Sequence, residues 1–198
     1  SYGITTGNDG SIYITGDTMS DLDEQTNNGE SDVFISKFDS EGNKKWTRLL
    51  GSSSVDFTYG ITTGNDGSIY ITGETLGDLD GQTNNGQFDA FISKFDIDGN
   101  IEWTKLLGSS SADSSYGITT GNDGSIYITG ETSGDLDGQT NKGEFELFIS
   151  KFDSDGNKEW TKLFGSSSEI FSSAIATFVT CSIYITGYTK GDLDEQIN

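Results

Sequence analysis

The chain has 198 residues, 31% of them hydrophobic, and 32 acidic residues against 11 basic ones give it a formal net charge of −21. A surface so anionic repels phosphate backbones and anionic lipid headgroups, and no apolar run is long enough to insert into a membrane as a helix, so nucleic acid and membrane insertion are set aside as partners. Histidine is absent and Cys181 is the single cysteine, which excludes an intrachain disulfide, a zinc site built on thiolates and the histidine-dependent nucleophile pairs.

The first element announces the organisation. Tyr2 opens a Tyr-Gly-Ile-Thr-Thr-Gly-Asn-Asp-Gly run that returns at Tyr59 and Tyr116, a period of 57 residues, and Ser-Ile-Tyr-Ile-Thr-Gly recurs in step at Ser11, Ser68, Ser125 and Ser182. A fixed period of this size marks a repeat architecture in which each unit buries its apolar faces against copies of itself. The chain therefore reads as one array over 1–198, with repeats 2–58, 59–115 and 116–172 and a degenerate part-repeat 173–198.

The second repeat shows the elements in order. Gly60–Thr63 is a short β-prone run, ended by Gly64-Asn65-Asp66-Gly67, which has the residues of a tight hairpin turn. Ser68–Thr72 alternates Ile69 and Ile71 against Tyr70, the pattern of a second strand. A polar loop runs from Gly73 to about Gln87. Asp89–Phe95 is the third strand, with Phe91 and Phe95 on one face and Ala90 and Ile92 on the other. Asp96-Ile97-Asp98-Gly99-Asn100 turns the chain into the fourth, Glu102–Leu107. In the last copy Ala174–Cys181 replaces the run that carries the first turn, so that hairpin is expected to be altered.

Four short strands per repeat, joined by hairpins and apolar on both faces, describe a sheet that neighbours must cover on each side. The expected fold is all-β: a β-propeller array of four-stranded antiparallel blades, about three and a half in this chain. The sequence Gly-Ser-Ile-Tyr-Ile-Thr-Gly-Glu-Thr, then Phe-Asp-Ala-Phe-Ile-Ser-Lys-Phe-Asp-Ile-Asp-Gly-Asn, then Glu-Trp-Thr-Lys-Leu-Leu-Gly resembles the bacterial beta-propeller repeat abbreviated SBBP, and more loosely NHL blades. The resemblance implies propellers of the seven-bladed type in secreted or surface proteins of bacteria, with no general activity attached. It departs from that family in having no proline. Three and a half blades leave an open wedge, which predicts either a homodimer completing a ring or a fragment of a longer propeller. The chain begins at a serine inside the repeat pattern, as a mature or excised segment would.

Two sets of residues are candidates for binding. Asp78, Asp80 and Asn84, with Asp21, Asp23 and Asn27, Asp135, Asp137 and Asn141, and the partial copy Asp192 and Asp194, carry oxygens at a spacing that suits Ca²⁺. The same residues make Asx turns without any metal, no helices flank them, and Thr83 stands where an EF-hand needs glycine. Trp46, Trp103 and Trp160 open the fourth strands. They could stack on sugar rings, one weak site per blade, or pack between blades. A near-uniform array offers no privileged pair of carboxylates, so a glycoside-processing enzyme is the least favoured reading. The expected function is a non-enzymatic extracellular binding or scaffold module, with a protein or a glycan as partner; the alternative is a multivalent carbohydrate-binding propeller.

Overall fold

The computed structural model describes residues 1–165, 170–178 and 182–192. Within them the chain is all β. Strands β1 (Gly3–Thr6), β2 (Ile12–Thr18), β3 (Asp32–Phe38) and β4 (Lys44–Leu50) form the first antiparallel sheet in sequence order. β5 (Asp56–Thr63), β6 (Ile69–Thr75), β7 (Asp89–Phe95) and β8 (Ile101–Leu107) form the second. β9 (Asp113–Thr120), β10 (Ile126–Thr132), β11 (Glu146–Phe152) and β12 (Lys158–Phe164) form the third, and β13 (Ile170–Thr177) pairs with β14 (Ile183–Thr189).

The period-2 alternation sets the faces. Ile69, Ile71, Phe91 and Phe95 of the second sheet pack with Tyr13, Val33, Ile35 and Leu50 of the first. Tyr70, Ala90, Ile92 and Leu107, on the opposite face, pack with Ile118, Ile126, Ile128, Phe148 and Phe152 of the third. All seven residues of β6 are consequently buried. This is the face-to-face stacking of propeller-type blades, in which apolar surface hidden between sheets is the main stabilising term.

The first strands run side by side from blade to blade, tied by a ladder of threonines one repeat apart. Thr63 Oγ1 donates to the Thr6 carbonyl at 3.0 Å, Thr120 Oγ1 to Thr63 at 3.1 Å, and Thr177 Oγ1 to Thr120 at 2.8 Å. The last rung shows that the part-repeat stacks like the others. Its hairpin keeps the common register, Thr177 opposite Ile183 as Thr63 is opposite Ile69, although the glycine-rich turn signal is gone. Phe178 N still donates to Ser182 O, as Gly64 N does to Ser68 O. Strand pairing, rather than turn residues, holds that hairpin; residues 179–181, Cys181 among them, lie outside the described residues.

Two strands are longer than their patterning indicates. β5 begins at Asp56, three residues before Tyr59, and β6 continues through Gly73 to Thr75. The extension of β5 contains a bulge between Thr58 and Gly60, repeated in β9 between Ser115 and Gly117 and in β13 between Ser172 and Ala174. Tyr59, Tyr116 and Ser173 are the extra residues. A bulge residue leaves the ladder and its side chain is re-aimed.

The turn chemistry agrees with the sequence. In Asp39–Asn43 the Asp39 carboxylate accepts from Glu41 N and Asn43 N, and Gly42 has φ of 84°. The Lys45 ammonium, the Asn43 amide and these backbone donors hold the Asp39 carboxyl well below the usual range.

Candidate functional site

The bulges build the most distinctive surface of the molecule. Freed from the ladder, Tyr59 and Tyr116 line up with Tyr2 beside the first strands. The Tyr2 and Tyr59 rings meet edge-on with centroids 6.0 Å apart, and Tyr59 and Tyr116 are 5.2 Å apart. With Phe171, Ser172, Ser173 and Tyr188 they line an open, shallow depression of about 390 Å³ that spans all four sheets.

Each central tyrosine is positioned from below by a carboxylate on the second strand. Tyr59 donates to Glu74 Oε1 at 2.8 Å and Tyr116 to Glu131 Oε1 at 2.6 Å, while Ser114 Oγ donates to Glu74 Oε2. Burial, with the neighbouring glutamate, pushes both phenols well above their ordinary range, so they stay neutral donors. In the part-repeat the arrangement is inverted: Ser173 stands at the tyrosine position and Tyr188 at the glutamate position. The Tyr188 ring, 57% exposed, stacks on Phe171 at 4.8 Å. A second aromatic pair thus stands on the same surface at the fourth sheet although its sequence has diverged. The sequence signal was present, a tyrosine and a glutamate fifteen residues apart in two repeats, but strand pattern alone does not reveal that the tyrosine is a bulge residue.

The acidic loops recur one per repeat, and their polar atoms are largely engaged by the chain itself. Asp21, Asp78 and Asp135 each accept from the backbone N of Asn27, Asn84 and Asn141 at 2.9 Å. The three asparagine amides donate to the end of the second strand, at Thr18, Thr75 and Thr132, and their oxygens accept from Gly29, Gly86 and Gly143. Asp23, Asp80 and Asp137 sit at positive φ in two-residue turns, 49° in the case of Asp80, closed by paired Leu–Gln backbone bonds.

Asp23 binds Lys44 and Thr47 and Asp137 binds Lys158, while Ile101 stands at that place in the second repeat. The Lys44 ammonium, with Thr47, lowers the Asp23 pKa; at Asp137 burial opposes the fall, and Lys158 and Thr161 outweigh it. Leu79 and Leu136 at the loop apices are buried in the blade junctions. Asp192 is exposed at the start of the fourth loop, and Asp194 lies outside the described residues. Among the described residues no three His, Cys, Asp or Glu side chains converge as a metal would require. Asn84→Ala removes bonds at both ends of its loop and is expected to cost about 1–2 kcal/mol in urea denaturation; an unchanged midpoint would show that the loop is held elsewhere.

Trp46 and Trp103 lie at the blade junctions. Trp46, Trp103 and Trp160 are half-buried, each about one ring from a tyrosine of its own blade: Tyr13 at 6.1 Å, Tyr70 at 6.1 Å and Tyr127 at 6.2 Å. Gly99, on the outer turn of the second blade, rests on Trp46, and Gly156 of the third rests on Trp103. A Cβ at Gly99 would approach the Trp46 ring to 3.1 Å, and its φ of 81° independently requires glycine. Tyr13, Tyr70 and Tyr127 are buried, whereas Tyr184 is 60% exposed. Its sheet has two strands among the described residues, so no third and fourth strand of its own covers that ring.

Residues 45–80 and 102–137 match the beta-propeller repeat family. Each matched stretch runs from the fourth strand of one blade through the first two strands of the next, so the recurrent sequence unit straddles a blade junction. The regulatory protein FlaEY of Caulobacter vibrioides is 30% identical over 176 residues, covering 80% of this chain. The chain spans 18% of that relative's length. The crystal structure of a protein of unknown function from Bacteroides caccae superposes with a TM-score of 0.49 at 7% identity, over 98% of this chain and 57% of that one.

Proposed function

Since the chain is built of tandem beta-propeller repeats, we propose that it is a non-enzymatic interaction module that seats its partner along the row Tyr2, Tyr59, Tyr116, Phe171 and Tyr188. One observation carries this reading: these five rings line one surface that crosses four sheets, and a backbone bulge with a buried carboxylate aims and orders its central members. Tyrosines offer a large apolar area at low conformational-entropy cost, with a hydroxyl for orientation. The net charge of −21 selects for a neutral or basic partner and speeds its approach. An extended polypeptide segment of that character is the partner we assign, and a cell-surface or extracellular setting belongs to the same proposal. A regulatory role exercised by contact, in keeping with the name of the Caulobacter relative, fits a module that binds and does not catalyse.

A carbohydrate is the second reading, favoured by carboxylates lying beside aromatic rings. Arrays of basic, neutral and acidic peptides and of neutral glycans separate the two. Tyr59→Ala with Tyr116→Ala is expected to weaken the selected ligand at least about tenfold, as removal of central aromatic contacts does. Tyr59→Phe should retain most of the affinity. Ligands held equally well by the double alanine variant would place the binding surface elsewhere.

A further inference from the structure

At each of the first two blade junctions the fold buries two carboxylates side by side. Asp32 and Asp56 begin β3 and β5, Asp89 and Asp113 begin β7 and β9, and all four are 0% exposed. The members of a pair flank one peptide unit. A Cβ on Gly51 would lie 2.1 Å from Asp32 Cγ, while the next residue, Ser52, donates its N–H to Asp56 Oδ2 at 2.6 Å. Gly108 and Ser109 repeat this with Asp89 and Asp113, at 2.2 Å from Asp89 Cγ and 2.6 Å to Asp113 Oδ2. Asp56 N also donates to the Ser31 carbonyl at 2.8 Å, drawing the two strand starts together.

The hydrogen bonding is lopsided in the same way four times. Every Oδ2 is taken by donors of its own loop: Asn28 N on Asp32, Ser52 N and Oγ on Asp56, Asn85 N and Nδ2 on Asp89, Ser109 N and Oγ on Asp113. Every Oδ1 is buried without a hydrogen-bond partner. Two ionised carboxylates in a dry site would repel, and the donors on their Oδ2 atoms offset only part of the desolvation. No lysine or arginine acts on Asp32, Asp89 or Asp113. Asp32 is faced by Asn28, Gly29 and Asp56, and Asp89 by Asn85 and Asp113. Asp113 is faced by Ser109 and by Thr132, whose hydroxyl donates to the Gly134 carbonyl. Nor does a third ligating group converge there among the described residues.

We propose that each pair holds one proton between its two Oδ1 atoms, an O–H···O⁻ bond that latches neighbouring blades together and opens as the pH rises. Burial, reinforced by the partner carboxylate, raises Asp32 and Asp89, and burial raises Asp113. A carboxyl raised on folding stabilises the native state fully below its unfolded value, and that contribution is lost as pH climbs through the folded value. In the second pair both members, Asp89 and Asp113, are raised, and their titrations are coupled. The third junction has no latch: Glu146 packs on Gly165, but Ile170 replaces the second acid.

The test is thermal melting from pH 4 to pH 9 of the whole chain and of Asp56→Asn with Asp113→Asn, where an amide N–H₂ supplies permanently what the proton supplies in acid. The exposed pair Asp98→Asn with Asp155→Asn controls for the same change in net charge. The latch predicts that the buried variant melts higher than the parent at alkaline pH, by on the order of 5 °C, and loses much of the pH dependence that the control retains. Asp32→Asn with Asp89→Asn should behave alike. Parallel profiles for buried and control variants would overturn the proposal. So would calcium raising the parent's alkaline Tm as much as acid does, because a cation would then occupy the pair. In the unmutated protein, carbonyl-¹³C NMR should show Asp carboxyls titrating above the ordinary range; their absence overturns the latch whether or not the variants fold.

Discussion

Phe91→Ala is expected to destabilise the protein by about 3–5 kcal/mol, and the same change at Phe34, one repeat earlier, by roughly 1–2 kcal/mol. The two residues occupy equivalent places in near-identical strands. Phe91 is fully buried between the first and second blades, packed with Tyr13, Val33, Ile35, Leu50, Ile69 and Ile71. Phe34 is half-buried, because its face of the first sheet has no neighbour of the kind Phe91 enjoys. Phe148 is buried between the second and third blades, and its alanine variant should match Phe91→Ala. In an array whose stability is a sum of unit and interface terms, a defect at an inner junction also uncouples the blades on either side. Urea denaturation of the three variants should show the gradient, with a second transition most visible in Phe91→Ala. Equal losses at all three positions would mean that blade stacking does not dominate.

Gly73→Ala should cost about 3 kcal/mol and disarrange the aromatic row at the same time. A Cβ at Gly73 would sit 1.9 Å from the Phe57 carbonyl oxygen and 2.8 Å from Thr58 Cα, backbone atoms of the bulge that cannot rotate away. The bulge must then open, and with it goes the aim of Tyr59 at Glu74. Gly67→Ala is the instructive comparison: nothing lies within 4 Å of its Cβ, and only the φ of 85° resists the change, a cost of about 1 kcal/mol. Melting of the two variants, together with binding of whatever ligand the Tyr59→Ala comparison selects, separates them. If Gly73→Ala proved as mild as Gly67→Ala, the bulge would not be what positions the tyrosine.

The two glycines show how far the chain can be read by itself. Gly67 is legible: an Asn-Asp-Gly run between two alternating segments is a turn by local chemistry. Its backbone bonds, together with Asp66 Oδ1 accepting from Ser68 N, are what such a run should form. Gly73 looks like the residue after a strand, yet it lies inside one, opposite a bulge that propensity does not encode. The same division runs through the candidate sites. The loops around Asp21, Asp78 and Asp135 are identifiable by residue type, while only the fold shows their oxygens accepting from the backbone N–H of Asn27, Asn84 and Asn141. The tryptophans were recognisable as aromatic anchors, and the glycines that rest on Trp46 and Trp103 come from the next blade, 53 residues further along the chain.

The repeat, the four strands of each unit, the hairpin turns and the stacking of apolar faces are legible from the chain alone. These follow from a 57-residue period, period-2 alternation and turn residues, all of which act over a few positions. The packing settles which copies of a residue are covered and which are open: Tyr127 at 8% exposure against Tyr184 at 60%. It alone brought Asp32 to Asp56 and turned Tyr59 out of its ladder. Burial, desolvation and backbone approach depend on the sheet next door, and copies of one motif with different neighbours are physically different residues.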